Sequence, residues 1–204
     1  MKTPFIALTA IALATSASAA GEGPTVDAAR VDKTVASSFT NLPEGWDDRL
    51  KQDEAQRICS ETRNQPSEAQ AEKIVEAEKS KVQMPADGKV VGDWKAGEKV
   101  AQNGRGFQFS DPAGTEAGGN CYACHQLDPK ETSYGTLGPS LKGYGKAFKF
   151  SEEAAKATYA KIYDAQAVLA CSNMPRFGSN HVLTEKQIKD VTAYLFDPQS
   201  PVNK

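Results

Sequence analysis

Histidine and cysteine are scarce in this chain: two histidines and four cysteines among 204 residues. That scarcity excludes a zinc finger, which needs a second Cys/His pair at finger spacing. Outside the stretch Cys121-Tyr122-Ala123-Cys124-His125, only Cys59, Cys171 and His181 remain, and they are scattered. An excess of positive charge is missing as well. The chain has 24 basic and 26 acidic residues, so bulk charge does not make it a nucleic-acid binder. No apolar run is long enough to span a bilayer. A βαβ pattern, the usual setting of a thioredoxin-like Cys-x-x-Cys pair, is absent too. Hydrophobic residues make up 39%, a modest supply for a core of this length.

Against these absences the first feature is the amino end. Lys2 precedes the short apolar run Phe5-Ile6-Ala7-Leu8-Thr9-Ala10-Ile11-Ala12-Leu13, and Ala17-Ser18-Ala19 is a small-x-small cleavage site. The pattern predicts a secretory signal peptide over residues 1–19, cut after Ala19 or Ala20, and an exported periplasmic protein that is not held in a membrane. Losing the leader removes only Lys2 among charged residues and leaves a net charge of about −3.

Residues 20–90 form a polar, partly helical extension with 14 acidic and 10 basic residues. One helix is predicted from Glu44 to Glu61, with Trp46, Leu50 and Ile58 as its stripe. A second starts at Ser67, where Gln70 completes a capping box, and ends at Met84-Pro85. Ile74, Val75 and Val82 supply its apolar face. Neither stripe makes a core by itself, so the extension should wrap onto the domain after it. That second domain, 91–204, carries three predicted helices. Asp93 caps one through Gln102, with Gly97 small enough to admit a neighbouring helix. Ser151 opens another over residues 151–170, with Ile162, Ala165, Val168 and Leu169 near helical spacing. Thr184 and Gln187 box the last, which Pro198 ends and which should cross the Asp93 helix.

The chemistry centres on Cys121-x-x-Cys124-His125. Two thiols one helical turn apart reach the two vinyl groups on one edge of a porphyrin, and the next residue then lies under the iron. The pattern predicts one covalent haem c, attached through Cys121 and Cys124, with His125 as proximal ligand. A buried porphyrin also supplies apolar surface that the side chains lack. A proximal imidazole needs a hydrogen bond from its other nitrogen, and the Pro139 carbonyl, in the loop after the motif, is the candidate. For the sixth ligand Met174 comes first and His181 second, while Met84 precedes the haem domain and reads as packing. Met174 lies between helices and before a proline, which restricts its backbone. His/Met ligation fills both axial positions and favours electron transfer over binding of small ligands. A ligand sensor would need a displaceable sixth ligand. Arg176 has two readings, a partner for a haem propionate or a solvated surface residue. Lys130, Lys142, Lys146 and Lys149 either flank a haem edge and steer an acidic partner or form an ordinary solvated face.

Cys59 and Cys171 are left over. In an oxidising compartment the default is one disulfide between them, pinning the extension to the loop that carries Met174. The other reading is a reactive thiol at Cys171, three residues from the iron ligand.

Together, Cys121-x-x-Cys124-His125, Gly138-Pro139-Ser140-Leu141-x-Gly143 and a methionine before an amphipathic terminal helix resemble class I cytochrome c. The longer strings Gly119–Gln126, Gly138–Lys146 and Asn173–Gly178 resemble the SoxX family, the monohaem subunits of SoxAX complexes of bacterial thiosulfate oxidation. The likeness covers about residues 91–197. It implies a mainly α fold: a class I haem domain with an N-terminal helical extension. It also implies a heterodimer with SoxA, an enzyme that joins thiosulfate oxidatively to a cysteine of the carrier SoxYZ, an L-cysteine S-thiosulfotransferase. This chain would take the released electrons and pass them to a downstream cytochrome, with no catalytic residue of its own. The alternative is a free-standing periplasmic electron carrier.

Overall fold

The computed structural model describes residues 27–112 and 114–204, so the expected leader lies outside the described residues. Helices and 3-10 turns make up the regular structure, with no strand among the described residues. The expectation of a mainly α chain holds. Two compact units divide at Leu50 and Lys51.

In the first unit, α1 (Ala28–Ser38) is capped by Asp27, whose side chain accepts from the Ala29 N–H, and buries none of its residues. A 3-10 turn follows over Asp47–Leu50. The Arg49 guanidinium sits 4.0 Å over the Trp46 ring, so Trp46 is not on the stripe of a long helix. The single helix expected over Glu44–Glu61 is instead broken, and α2 (Glu54–Glu61) begins afresh in the second unit. The cause is Asp53, which forms a capping box with Gln56. Its Oδ1 accepts from the Gln56 N–H at 2.8 Å, and Gln56 Oε1 accepts from the Asp53 N–H at 2.9 Å. Two orphan donors satisfied in this way start a helix where apolar spacing alone shows none.

The second unit runs from Lys51 to Lys204, so residues 51–90 fold within the same unit as 91–204. The Ser67–Gln70 capping box opens α3 (Glu68–Lys79) as expected. Asp93 caps α4 (Trp94–Gln102). Between α4 and the terminal helix lie a short α5 (Tyr144–Ala147) and α6 (Glu152–Tyr163). Thr184 with Gln187 opens α7 (Glu185–Phe196). α4 crosses α7 where Gly97 meets Asp190. A Cβ on Gly97 would lie 1.9 Å from the Asp190 carbonyl oxygen, so only glycine allows this approach. Asp190 Oδ1 also accepts from the Asp93 N–H at 2.9 Å, tying the start of α4 to α7.

The helix expected over 151–170 stops at Tyr163, because Asp164 caps a new 3-10 turn, Ala165–Ala167, by accepting from the Gln166 N–H at 2.9 Å. Ile162 and Ala165 are buried as their spacing suggests, but Val168 and Leu169 are exposed. The main core joins α4, α6 and α7 around Tyr159, Ile188, Val191 and Tyr194. A satellite core of Ala55, Ile58, Cys59, Ile74 and Cys171 joins α2 and α3 to the loop after the 3-10 turn.

Candidate haem site

Cys121–Ala123 form a single 3-10 turn, and the His125 N–H donates to the Cys121 carbonyl at 2.9 Å. Asn120 enters the turn with a left-handed φ of 44°, a conformation that asparagine tolerates better than most residues. Tyr122 turns the other way, into the core. Its hydroxyl meets the Tyr194 hydroxyl of α7 at 2.8 Å and accepts from the Asp128 N–H at 3.1 Å. The turn is thus anchored to the terminal helix. Cys121 and Cys124 are free thiols, both half-buried. Burial pushes the Cys121 thiol up to about 12.

The loop after the motif folds back onto it. Gly135, Gly138 and Leu141 donate their N–H groups to the carbonyls of Tyr122, Cys124 and Gln126, each at 2.8 Å. The loop thereby places the Pro139 carbonyl 2.7 Å from His125 Nδ1. A carbonyl can only accept, so Nδ1 carries the proton and donates. The lone pair then resides on Nε2, where an iron ligand needs it. Gly138 forms the wall behind the ring: a Cβ there would lie 2.2 Å from His125 Cε1 and 2.5 Å from Nδ1. Sequence reasoning reaches Pro139 as the carbonyl acceptor for the imidazole. It does not reach Gly138 as the wall, although the spacing of Gly135 and Gly138 after the motif is a signal that the loop packs closely.

Met174 is half-buried, and both it and Cys121 pack against the main core. Its N–H donates to Ser172 Oγ at 3.2 Å. His181 is exposed on a turn at φ 53°. Met84 is exposed rather than packed. Lys130, Lys142, Lys146 and Lys149 are all exposed.

Arg176 corrects one of its readings. It is not a solvated surface residue, being 7% exposed. Its Nη1 lies 2.7 Å from Asp53 Oδ2 and 3.4 Å from Glu78 Oε2. Glu78 is itself buried, and its other oxygen lies 2.7 Å from Lys81 Nζ. Burial pushes the Asp53 carboxyl up, but the Gln56 N–H and the Arg176 charge outweigh it and hold the group below its ordinary 3.8. Burial likewise opposes the Arg176 charge, and the two carboxylates reverse that and raise its pKa. No sequence signal marks this cluster, since Asp53 and Arg176 lie 123 residues apart.

Cys59 and Cys171 are bonded, with Cα atoms 5.3 Å apart across a separation of 112 residues. The reactive-thiol reading of Cys171 is set aside by that bond. Cys171 has a left-handed φ of 56°, and its N–H donates to Gln166 Oε1 at 3.3 Å.

The residues fit a covalent haem. Two free thiols flank one turn, an imidazole is oriented with its coordinating nitrogen free, and its back wall has no room for a side chain. Leu137, beside Gly138, is 82% exposed and offers apolar surface of the kind a porphyrin face takes up. Among the described residues, no cluster of three or more His, Cys, Asp or Glu offers a separate metal site.

Comparison with known proteins supports a haem-binding chain. The cytochrome c family profile matches residues 94–197. A protein of Aquifex aeolicus (strain VF5), named an uncharacterized lipoprotein, is 39% identical over 156 residues. The match covers 75% of this chain and 73% of the relative.

Proposed function

The chain belongs to the cytochrome c family, and from that premise we propose that it is the monohaem electron-transfer subunit of a SoxAX-type complex. Covalently bound haem c comes with the family. In this proposal a single haem is held by thioether bonds from Cys121 and Cys124, with His125 and Met174 as its axial ligands. When bound, the haem supplies one-electron Fe(III)/Fe(II) chemistry. The chain's own residues do the rest. The Pro139 carbonyl fixes the proton on Nδ1 and strengthens Nε2 as a donor. Gly138 blocks rotation of the ring towards the loop. The thioether of Met174 favours the reduced state relative to a second imidazole. A haem held by His125 and Met174 would exchange electrons and leave no open iron position for a small ligand.

The observation that carries the finer reading is the segment Asn173-Met174-Pro175-Arg176-Phe177-Gly178, which resembles the SoxX pattern and is tied to α2 and α3. A freely diffusing carrier needs little beyond the haem domain. Here the extension is built into the loop that bears the ligand. In the proposed complex, the SoxA subunit joins thiosulfate to the thiol of SoxYZ, and the coupling of the two sulfurs releases two electrons. This chain takes them one at a time and passes them to a downstream cytochrome. By itself it would be an electron-transfer protein; the L-cysteine S-thiosulfotransferase would be the heterodimer. The proposed setting is the periplasm. The pattern at residues 1–19 supports export, as does a relative named a lipoprotein. No helix among the described residues is long and apolar enough to cross a membrane.

The test is a gentle affinity purification of tagged protein from native periplasm after growth on thiosulfate, with the eluate stained for covalent haem. The expected result is a second haem-bearing chain in fixed ratio, and haem reduction when thiosulfate and SoxYZ are added. A single haem band, still alone at low salt, refutes the subunit reading and leaves a diffusing carrier.

A further inference from the structure

The family profile begins at residue 94, so it leaves α2 and α3 without a role. We propose that these two helices are a clamp on the iron's sixth ligand: they grip the Met174 loop at two points and hold the thioether on the metal. The inference rests on Met174 being that ligand.

The two grips bracket Met174. Three residues before it, Cys171 is bonded to Cys59 of α2. Two residues after it, Arg176 reaches Asp53, the cap of α2, and Glu78 near the end of α3. The carboxylates divide their labour. Asp53 uses Oδ1 to start α2 and Oδ2 to hold Arg176. Glu78 gives Oε2 to Arg176 and Oε1 to Lys81. The start of α2 and the hold on the loop therefore share one carboxylate.

The loop would not keep this shape unaided. Cys171 sits at φ 56°, a region that L-residues with a Cβ avoid. Its conformation is held by the bond to Cys59 and by the Gln166 side chain, which accepts its N–H. Pro175 restricts Met174 from the other side. A cavity of about 330 Å³ lies along the grip, lined by Gln52, Gln56, Ser60 and Asn64 of the α2 region and by Met174 and Arg176. The loop therefore has open space beside it, and the two grips, rather than close packing on that side, fix it. Arg176 and the cystine are positioning groups, and neither has to touch the iron.

The experiment compares ferric holoprotein of the wild type, Arg176→Gln, Cys59→Ser/Cys171→Ser, the combination of all three substitutions, and Lys73→Ala. Lys73 pairs with Glu54 between α2 and α3 on the exposed surface, where an ion pair contributes little. Two signals are read: the charge-transfer band of a thioether bound to ferric haem, and the rate at which added imidazole takes the sixth position. Removing one partner of a buried ion pair is a large perturbation, so Arg176→Gln should weaken the band and speed imidazole entry by about tenfold or more. The double serine variant should change both signals in the same direction. The combination should lose the band, and Lys73→Ala should match the wild type. If Arg176→Gln yields no holoprotein, Asp53→Asn removes the half-exposed partner and is read in the same way. Rates within about twofold of wild type in both the arginine (or Asp53→Asn) and cystine variants, a difference too small for a lost buried partner, would overturn the clamp. So would a Lys73→Ala variant that behaves like them. A wild type without the band, unchanged by Met174→Ala, refutes Met174 as the ligand and removes the premise, an outcome distinct from failure of the clamp.

Discussion

Gly138→Ala adds one carbon behind the proximal imidazole, and the structure gives it no room. The new Cβ would lie 2.2 Å from His125 Cε1, 2.5 Å from Nδ1 and 2.7 Å from Nε2. Unstrained carbon contacts fall at about 3.5–4.0 Å, so ring and loop must separate by more than ~1 Å. The loop is held by the N–H groups of Gly135, Gly138 and Leu141, and the ring by the 2.7 Å bond to the Pro139 carbonyl. Separation on that scale takes the bond past about 3.5 Å, where it ceases to count. Losing such a partner of a ligating histidine typically weakens metal binding by about 10–100-fold, roughly 1.4–2.7 kcal/mol. Overpacking itself costs about 1–3 kcal/mol. Because the two overlap, the expected loss of holoprotein stability is about 2–4 kcal/mol. The assay is guanidinium unfolding followed by haem absorbance, together with a potentiometric titration. An imidazole without its hydrogen bond is a weaker donor and stabilises ferric iron less, so the reduction potential should rise. Pro139→Ala keeps the backbone carbonyl and should cost less than about 1 kcal/mol. A Gly138→Ala protein within about 0.5 kcal/mol of wild type, with an unchanged potential, would show that the ring does not rest against Gly138 once haem is attached.

Two further outcomes are expected from the packing around the site. Gly97→Ala places a Cβ 1.9 Å from the Asp190 carbonyl oxygen, which is backbone and cannot swing aside. The overpacking of α4 against α7 should cost about 2 kcal/mol or more despite alanine's better helix propensity; thermal unfolding of the holoprotein checks it, and a stabilised variant refutes the crossing. Asp53 has a folded pKa below its ordinary 3.8. Its contribution is therefore complete above about pH 4 and is lost as pH falls through the lower folded value. Asp53→Asn should flatten the acid limb of a stability–pH curve below about pH 4 and leave its shape above that unchanged; an identical acid limb would mean that Asp53 is not paired.

Much of this fold is legible in the sequence because caps are local. Ser67 with Gln70, Thr184 with Gln187, and Asp93 each start a helix within four residues of themselves. The haem motif is equally local, since the porphyrin sets its spacing. Some local features and the long-range contacts escape. Aspartates that start a new element inside an apolar rhythm, Asp53 and Asp164, look like any helical aspartate, so one predicted helix runs across its break and the other past its end. α1 escapes because it buries nothing and so has no stripe to betray it. Contacts across long separations escape as well. The burial of Arg176 between Asp53 and Glu78 depends on α2 and α3 docking together on the Met174 loop, and no window of sequence contains all of these residues. The pairing of Cys59 with Cys171 is long-range too, yet it is reachable by counting, because no other cysteines are left once the haem motif has claimed its own.

The central claim is that Cys121 and Cys124 carry one haem by covalent bonds. The direct measurement is the intact mass of the purified protein after denaturation and acid-acetone extraction. The account predicts a mature chain heavier by the mass of one haem, with the increment gone in Cys121→Ala/Cys124→Ala. A bare-chain mass with the haem recovered in the extract would contradict it, as would an increment of two haems.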